Sequence, residues 1–204
     1  MSHQQQDDDD FGPSVTNGYK PGQKKTIDEY QKLDADDEAL NRWKESLGVT
    51  NAAAAGDDPH NVVVLQIALE VQGRDDVVLD LTRPSEELKS HSFTIKEGVE
   101  YRIKVLFKVQ HSLVSGLKYM QVVKRKGIRG KHSLPNIYDL IVDKHEEMVG
   151  SYAAKPDIIE KKFALEEAPS GLMARGHYDA KSKFVDDDGT VHKEWSWSFD
   201  IKKD

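Results

Sequence analysis

The chain has no cysteine among its 204 residues. That removes disulfide frameworks and thiolate nucleophiles and agrees with a reducing compartment, so the cytosol is the expected location. No apolar run approaches the roughly 20 residues that span a bilayer as a helix. The start, MSHQQQDDDD, has neither a basic n-region nor an apolar h-region, so insertion or secretion by such a leader is not expected. Catalytic signatures are missing as well: HExxH, GxxxxGK[ST] and GxSxG do not occur, and no constellation suited to catalysis emerges. Eight histidines are present, but none shows paired ligand spacing, and surface or hairpin positions account for them. DDDG at residues 186–189 resembles the start of a calcium loop, yet Trp197 stands where the loop needs a bidentate Glu, and a tight acidic hairpin turn fits better. Glu166 and Glu167 are neighbours in a predicted strand and so point to opposite faces, unlike a glycosidase pair flanking one bond. Neither an enzyme nor a metal protein is expected.

Charge is distributed unevenly. Residues 1–60 carry 13 acidic and 6 basic side chains, which accounts for the whole net charge of -7; the remaining 23 acids and 23 bases cancel. An acidic arm on a neutral body repels nucleic acid and anionic lipid and favours a basic protein partner, although an acidic tail can also serve solubility alone. The stretch KYMQVVKRKGIRGKH, residues 118–132, is basic enough to suggest a nucleic-acid patch. In a strand, however, such bases are what keeps an exposed edge from pairing with another chain, and no nucleic acid is expected as a partner.

The arm divides further. Residues 1–25 combine Gln, Asp, Gly and Pro with few apolar groups and cannot offset the entropy of ordering. TIDEYQKL has capping-box spacing between Thr26 and Glu29, predicting a short helix near 26–33. A second is predicted near 36–47, with Asp34 or Asp36 as N-cap and Gly48 as a stop. Leu40, Trp43 and Leu47 give this helix a narrow apolar stripe, too little for stability alone in water. The stripe needs a surface to cover it, either the protein's own body or a partner. NAAAAGDDP, residues 51–59, reads as a linker.

From residue 61 onward the texture changes. NVVVLQIALEV, DVVLDLT, HSFTI, VEYRIKVLFKVQ, GLKYMQVVKRK, EMVGSYA, ARGHYDAKSKFV and VHKEWSWSFDIKK are rich in β-branched and aromatic residues and are separated by turn residues. VEYRIKVLFKV alternates with Tyr101, Ile103, Val105, Phe107 and Val109 inward and Arg102, Lys104 and Lys108 outward. Short strands without helical crossovers imply an antiparallel sandwich over residues 61–204. EWSWSFDIKK places Trp195, Trp197, Phe199 and Ile201 on one face. Two of the three tryptophans thus share one strand. They could be core or an exposed platform for stacking carbohydrate.

YKPGQKKTIDEYQKLDADDEALNRWKESLG, KSHSFTIKEGVEYRIKVLFKVQHSLVSGLKYM, GLKYMQVVKRKG, MVGSY, EEAPSGLMARGHYDAKSKFVDDDGT and EWSWSFDIKKD together resemble the Rho GDP-dissociation inhibitors, in matching order from about Tyr19 to the end. The resemblance implies a mainly β, immunoglobulin-like antiparallel sandwich whose sheets part at one end into a pocket for the geranylgeranyl group of a Rho-family GTPase. On the family pattern Leu69, Phe93, Leu113, Ala180 and Trp197 line that pocket. The arm would lie across the GTPase switch regions through Tyr19, Asp36, Asp37 and Glu38, with Asp37 matching the acid that meets switch I. Asp143 and Asp188 match body acids that face the GTPase, and Glu166 and Glu167 lie where its polybasic tail approaches. Residues 129–140 look inserted relative to the family and read as an extra loop.

What the resemblance implies is a GTPase regulator and not an enzyme. It would bind prenylated, GDP-bound Rho, Rac or Cdc42-like partners as a monomer in a one-to-one heterodimer, block GDP release and GTP hydrolysis, and extract the GTPase from membranes without inserting itself. No cofactor is implied, since the geranylgeranyl group belongs to the GTPase. A general prenyl-binding chaperone of the phosphodiesterase-delta type would need the pocket but not the acidic arm.

Overall fold

Strand-forming sequence dominates the body, and in the computed structural model it builds two facing sheets. The structure describes residues 11–12, 29, 32, 36–46, 58–90, 92–129 and 136–203. The first sheet holds β1 (Val62–Val71), β2 (Val77–Asp80), β4 (Glu100–Val109), β7 (Ile159–Lys162) and the two-residue β8 (Glu166–Glu167). Its order is β2-β1-β4-β7, with β8 also paired to β4. The second holds β3 (Ser92–Lys96), β5 (Val114–Arg129), β6 (Asn136–Tyr152), β9 (Gly176–Val185) and β10 (Val191–Lys202) in the order β3-β10-β9-β5-β6. This is the expected mainly β sandwich. All pairings are antiparallel except β3 with β10, which is parallel.

The alternation read from β4 sets its packing. Ile103, Val105, Phe107 and Val109 are buried, and Tyr101 is half-buried. They face Trp195, Phe184, Leu117 and Tyr119 of the second sheet in one continuous core. Phe107 meets Phe184 at 6.4 Å between ring centroids, while Tyr119 stacks on Phe163 at 5.0 Å. Large aromatics bury the most apolar area per ordered side chain, so this cluster dominates the hydrophobic stabilisation. A short helix, α2 (Ser85–Ser90), adds Leu88, which is 1% exposed.

Helix α1 spans Glu38–Ser46. Its cap is Asp37 rather than the expected Asp34 or Asp36, because the Asp37 carboxylate accepts from the amides of Ala39 at 2.9 Å and Leu40 at 3.0 Å. Those are the second and third helical positions, which an N-cap satisfies. Of the helix predicted near 26–33, Glu29 and Lys32 are described, and both are helical. The predicted disordered stretch at 1–25, apart from Phe11 and Gly12, lies outside the described residues.

Two expectations for β5 and β6 are corrected. Residues 129–140 are not simply a loop: the ladder continues through Lys126↔Asp139 and Ile128↔Ile137 to Arg129↔Asn136. NIYDLIV is as rich in β-branched and aromatic residues as the core strands, and an antiparallel pair lengthens readily when both segments favour the extended backbone. The basic stretch of β5 is an edge only in part: β6 and β9 flank Lys118 to Lys124, whereas Arg125 to Arg129 pairs with β6 alone. Its charges are instead used locally: Lys118 lies 3.3 Å from Glu146, and Arg125 donates to the carbonyls of Met173 and Arg175.

Candidate functional site

The end of β1, the start of β4 and the facing stretches of β5, β6 and β10 enclose a cavity of about 590 Å³. That size lies within the usual range of small-molecule sites. Its floor is apolar. Leu69 of β1, Ile95 of β3, Ile103 of β4, Val123 of β5 and Trp197 and Ile201 of β10 line it. Its rim is polar and mostly acidic, with Tyr101, Asp143, His145, Glu166 and Glu167.

The two tryptophans divide between core and cavity. Trp195 is 2% exposed, lies near Phe184 and Tyr119, and does not line the cavity. Trp197 does line it, with ring centroids 5.6 Å from Phe93 and 5.5 Å from Phe199. The Trp197 ring is oriented from behind by a buried polar chain. Its indole N–H donates to Ser182 Oγ at 3.0 Å, Ser182 and the Tyr119 hydroxyl are 3.1 Å apart, and Tyr119 donates to Gln121 Oε1 at 2.6 Å. Since the Tyr119 proton serves Gln121, Ser182 is the donor to Tyr119. Every member is thereby partnered, which is the condition for a buried polar network to rigidify instead of destabilise. Burial pushes the Tyr119 phenol well above its ordinary value, so it stays a donor.

At the rim, Tyr101 donates to Glu166 Oε2 at 2.7 Å. Burial and, after it, this hydrogen bond raise the Tyr101 phenol. His145 sits between two carboxylates, its Nδ1 3.4 Å from Glu166 and its Nε2 3.4 Å from Glu147. Because His145 belongs to β6 and Glu166 to β8, this contact bridges the two sheets at the mouth. Beside it, the turn at 171–175 is fixed by Glu97, which accepts from Arg175 Nη2 at 2.6 Å, Arg175 Nε at 2.9 Å and the Gly171 amide at 2.9 Å. Arg125 passes so close that a Cβ on Gly176, whose φ is +139°, would lie 2.9 Å from its Nη2. This turn presents Leu172 and Met173 at 80% and 85% exposure.

The structure brings together some of the sequence-derived candidates and separates others. Leu69, Trp197, Asp143, Glu166 and Glu167 share the cavity. Phe93 stands behind Trp197, and Ala180, opposite Trp197 in the β9 register, lines a shallower groove of about 360 Å³. Leu113 precedes β5 at the far end from Val123, roughly 30 Å away at the rise of a strand, and does not line the cavity. Asp188 is exposed in the β9–β10 turn, at the opposite end of that sheet from Asp143. Asp36, Asp37 and Glu38 are exposed at the start of α1, and Tyr19 lies outside the described residues. Ser182, Tyr119, Gln121 and His145 were not singled out from the sequence; only the inward parity of Tyr119 and Gln121 with Leu117 hinted at them. Among the described residues no group of His, Asp and Glu is placed to hold a metal, and no helix is long and apolar enough to cross a membrane.

A family model described as RHO protein GDP dissociation inhibitor matches residues 2–204. The chain is 43% identical over 202 residues to the Rho GDP-dissociation inhibitor of Schizosaccharomyces pombe, covering 97% of this chain and 91% of the relative. It is 44% identical over 187 residues to Rho GDP-dissociation inhibitor 1 of Homo sapiens, covering 91% and 86%. The Saccharomyces cerevisiae Rho GDP-dissociation inhibitor is 42% identical over 195 residues, covering 91% and 90%.

Proposed function

The chain belongs to the Rho GDP-dissociation inhibitor family, a family of regulators that bind Rho-family GTPases, and on that premise we propose that its inter-sheet cavity receives the prenyl group of a GDP-bound GTPase while α1 engages the switch regions. The observation that carries the reading is the composition of the cavity: an apolar floor around Trp197 under a rim of Asp143, Glu166 and Glu167. A prenyl chain needs the first, and the basic tail that precedes it on the GTPase complements the second.

The arm contributes exposed acids where a switch loop offers amides and basic groups. Asp36, Asp37 and Glu38 cluster at the start of α1, with Tyr19 upstream. Binding there restrains nucleotide release and covers the surface that hydrolysis and effectors require. Because pocket and arm are linked, engagement of one raises the effective concentration of the other. The complex is one-to-one, the partner set is prenylated Rho, Rac or Cdc42-like proteins, and the inhibitor acts from the cytosol with no cofactor of its own.

The test is release of a geranylgeranylated, GDP-loaded Rho-family GTPase from liposomes by the intact chain, by a version lacking residues 1–50 and by Trp197→Asp. Release by the intact chain with both variants impaired supports the coupled mechanism. Full release without the arm turns the reading into a general prenyl-binding chaperone, and no release by the intact chain refutes it for that GTPase.

A further inference from the structure

Beyond the cavity, the outer face of the second sheet carries a small, separate apolar cluster. Met120 and Val122 of β5 and Val185 of β9 are 5%, 6% and 1% exposed, although strand parity turns them away from the core. What covers them is Phe11, itself 5% exposed and more than a hundred residues away in sequence. Lys183, on the same face, is 8% exposed. A lysine is rarely that buried without partners. Here its ammonium lies 4.3 Å from the Phe11 ring centroid and donates to the Phe11 carbonyl, while Lys181 lies 5.4 Å from the same ring. An aromatic ring clamped between a methionine, two valines and two cations uses both packing and cation–π attraction.

Residues 7–10 are four aspartates. The adjoining groove of about 360 Å³ is lined by Lys89, Lys124 and Lys181, with Asp179 as its acid. Lys181 also contacts Glu194 at 2.8 Å and Lys89 contacts Glu86 at 3.3 Å, so part of this charge is used within the body.

We propose that the outer face of the β5–β9 pair is a docking site for an acidic–aromatic segment, and that its occupant is residues 7–11 of the same chain. Phe11 is the anchor, held by the apolar cluster and by Lys183. The arm is then held at both ends, at Phe11 and again at Asp58, where it joins the body. α1 lies in sequence between these two points, so its acids are kept nearer the body than the full reach of a free tail would allow. The anchoring does not depend on the prenyl reading, since the site lies on the face opposite the cavity.

Because the chain has no cysteine, Gln5→Cys accepts a single nitroxide label, and paramagnetic broadening of the amides of Met120, Val122, Lys183 and Val185 reads the docking in the full-length protein. Severalfold loss of those peaks is expected, confined to that face and reversed by Phe11→Ala. Lys183→Met should weaken the broadening while leaving the core resonances in place. Peaks that keep their intensity, broadening that is uniform over the protein, or broadening that persists in Phe11→Ala would overturn the proposal. A mixture of labelled chain without ¹⁵N and unlabelled ¹⁵N chain distinguishes the remaining occupant. Broadening in that mixture would assign the site to a second copy and overturn docking within one chain.

Discussion

Replacing Trp195 and Trp197 by alanine in separate variants tests whether the two indoles have different jobs. Trp197 packs near Phe93 and Phe199, donates to Ser182 and faces the cavity; Trp195 packs near Phe184 and Tyr119 inside the core. Truncating a buried tryptophan costs about 3–5 kcal/mol. The Trp197 variant should fall at the low end, because one side of its ring already meets open space. Ligand binding is where they part. If about a third of the roughly 200 Å² that an indole buries faces the ligand, about 25 cal/mol per Å² gives about 1.5 kcal/mol, or about tenfold in Kd. Urea unfolding followed by circular dichroism gives the folded fraction of each variant, and titration with a fluorescent geranylgeranyl-cysteine gives the affinity of that fraction. Both variants are expected to lose stability, and Trp197→Ala alone to bind about tenfold more weakly. Unchanged affinity in Trp197→Ala, or equal weakening in Trp195→Ala, would refute the assignment of Trp197 as cavity wall.

Ser182→Ala removes both the acceptor for Trp197 and the donor to Tyr119; a loss of about 1–3 kcal/mol is expected, read from the urea midpoint together with a shifted tryptophan emission. Stability should also decline at both ends of the pH scale. Glu97 is held below its ordinary 4.5 by the Arg175 hydrogen bond, and Asp58 below 3.8 by hydrogen bonds from His60. Such groups bind fewer protons folded than unfolded, so their contribution is full above about pH 4.5 and is lost as pH falls through the lowered folded values. Tyr119 and Tyr101, raised above 10.0 chiefly by burial, keep their protons when folded, so stability is full below about pH 10 and falls above it. Denaturant midpoints measured across both limbs check the two signs, and a flat alkaline limb would contradict the burial of the phenols. Asp37→Ala removes the cap of α1 at a cost of about 1 kcal/mol in helix stability. It should weaken inhibition of GDP release while leaving the affinity for the prenyl probe unchanged.

The parts of the fold that were legible in the sequence were those governed by local periodicity. β4 and β10 alternate strictly, so their inward residues could be named from parity alone. The cavity could not be read in that way, because it depends on which strands are neighbours. β10 lies between β9, joined to it by a short turn, and β3, which comes about a hundred residues earlier and pairs in parallel. No local pattern encodes that contact. Ser182 shows the same limit, since within AKSKF it resembles a surface residue and only the approach of Trp197 and Tyr119 makes it a buried link. Lys183 was hidden for another reason: its burial comes from Phe11, in a segment whose composition predicts no structure. The resemblance implied Leu69, Trp197, Asp143, Glu166 and Glu167 from separate segments of the sequence, and they share one cavity, whereas Leu113, implied for the same pocket, does not line it.

Energetics explain why a cavity alone would make a poor extractor. Twenty prenyl carbons at about 0.8 kcal/mol per buried CH₂ hold a protein on a bilayer by more than about 10 kcal/mol. A pocket lined by Leu69, Ile103, Val123 and Trp197 offers the chain surroundings about as apolar as the lipid it leaves, so the transfer itself is close to neutral. The acidic rim attracts a basic tail, but the anionic membrane surface attracts that tail too, and exposed carboxylates gain little per ion pair in water. The direction of transfer must therefore be set by a contact that the membrane does not offer, which is the folded surface of the GTPase itself. On the proposed reading, α1 supplies it, and tethering turns a weak second contact into a large gain in overall affinity. Changes in the arm should accordingly shift the extraction equilibrium by more than their contact area suggests, even though they touch no lipid.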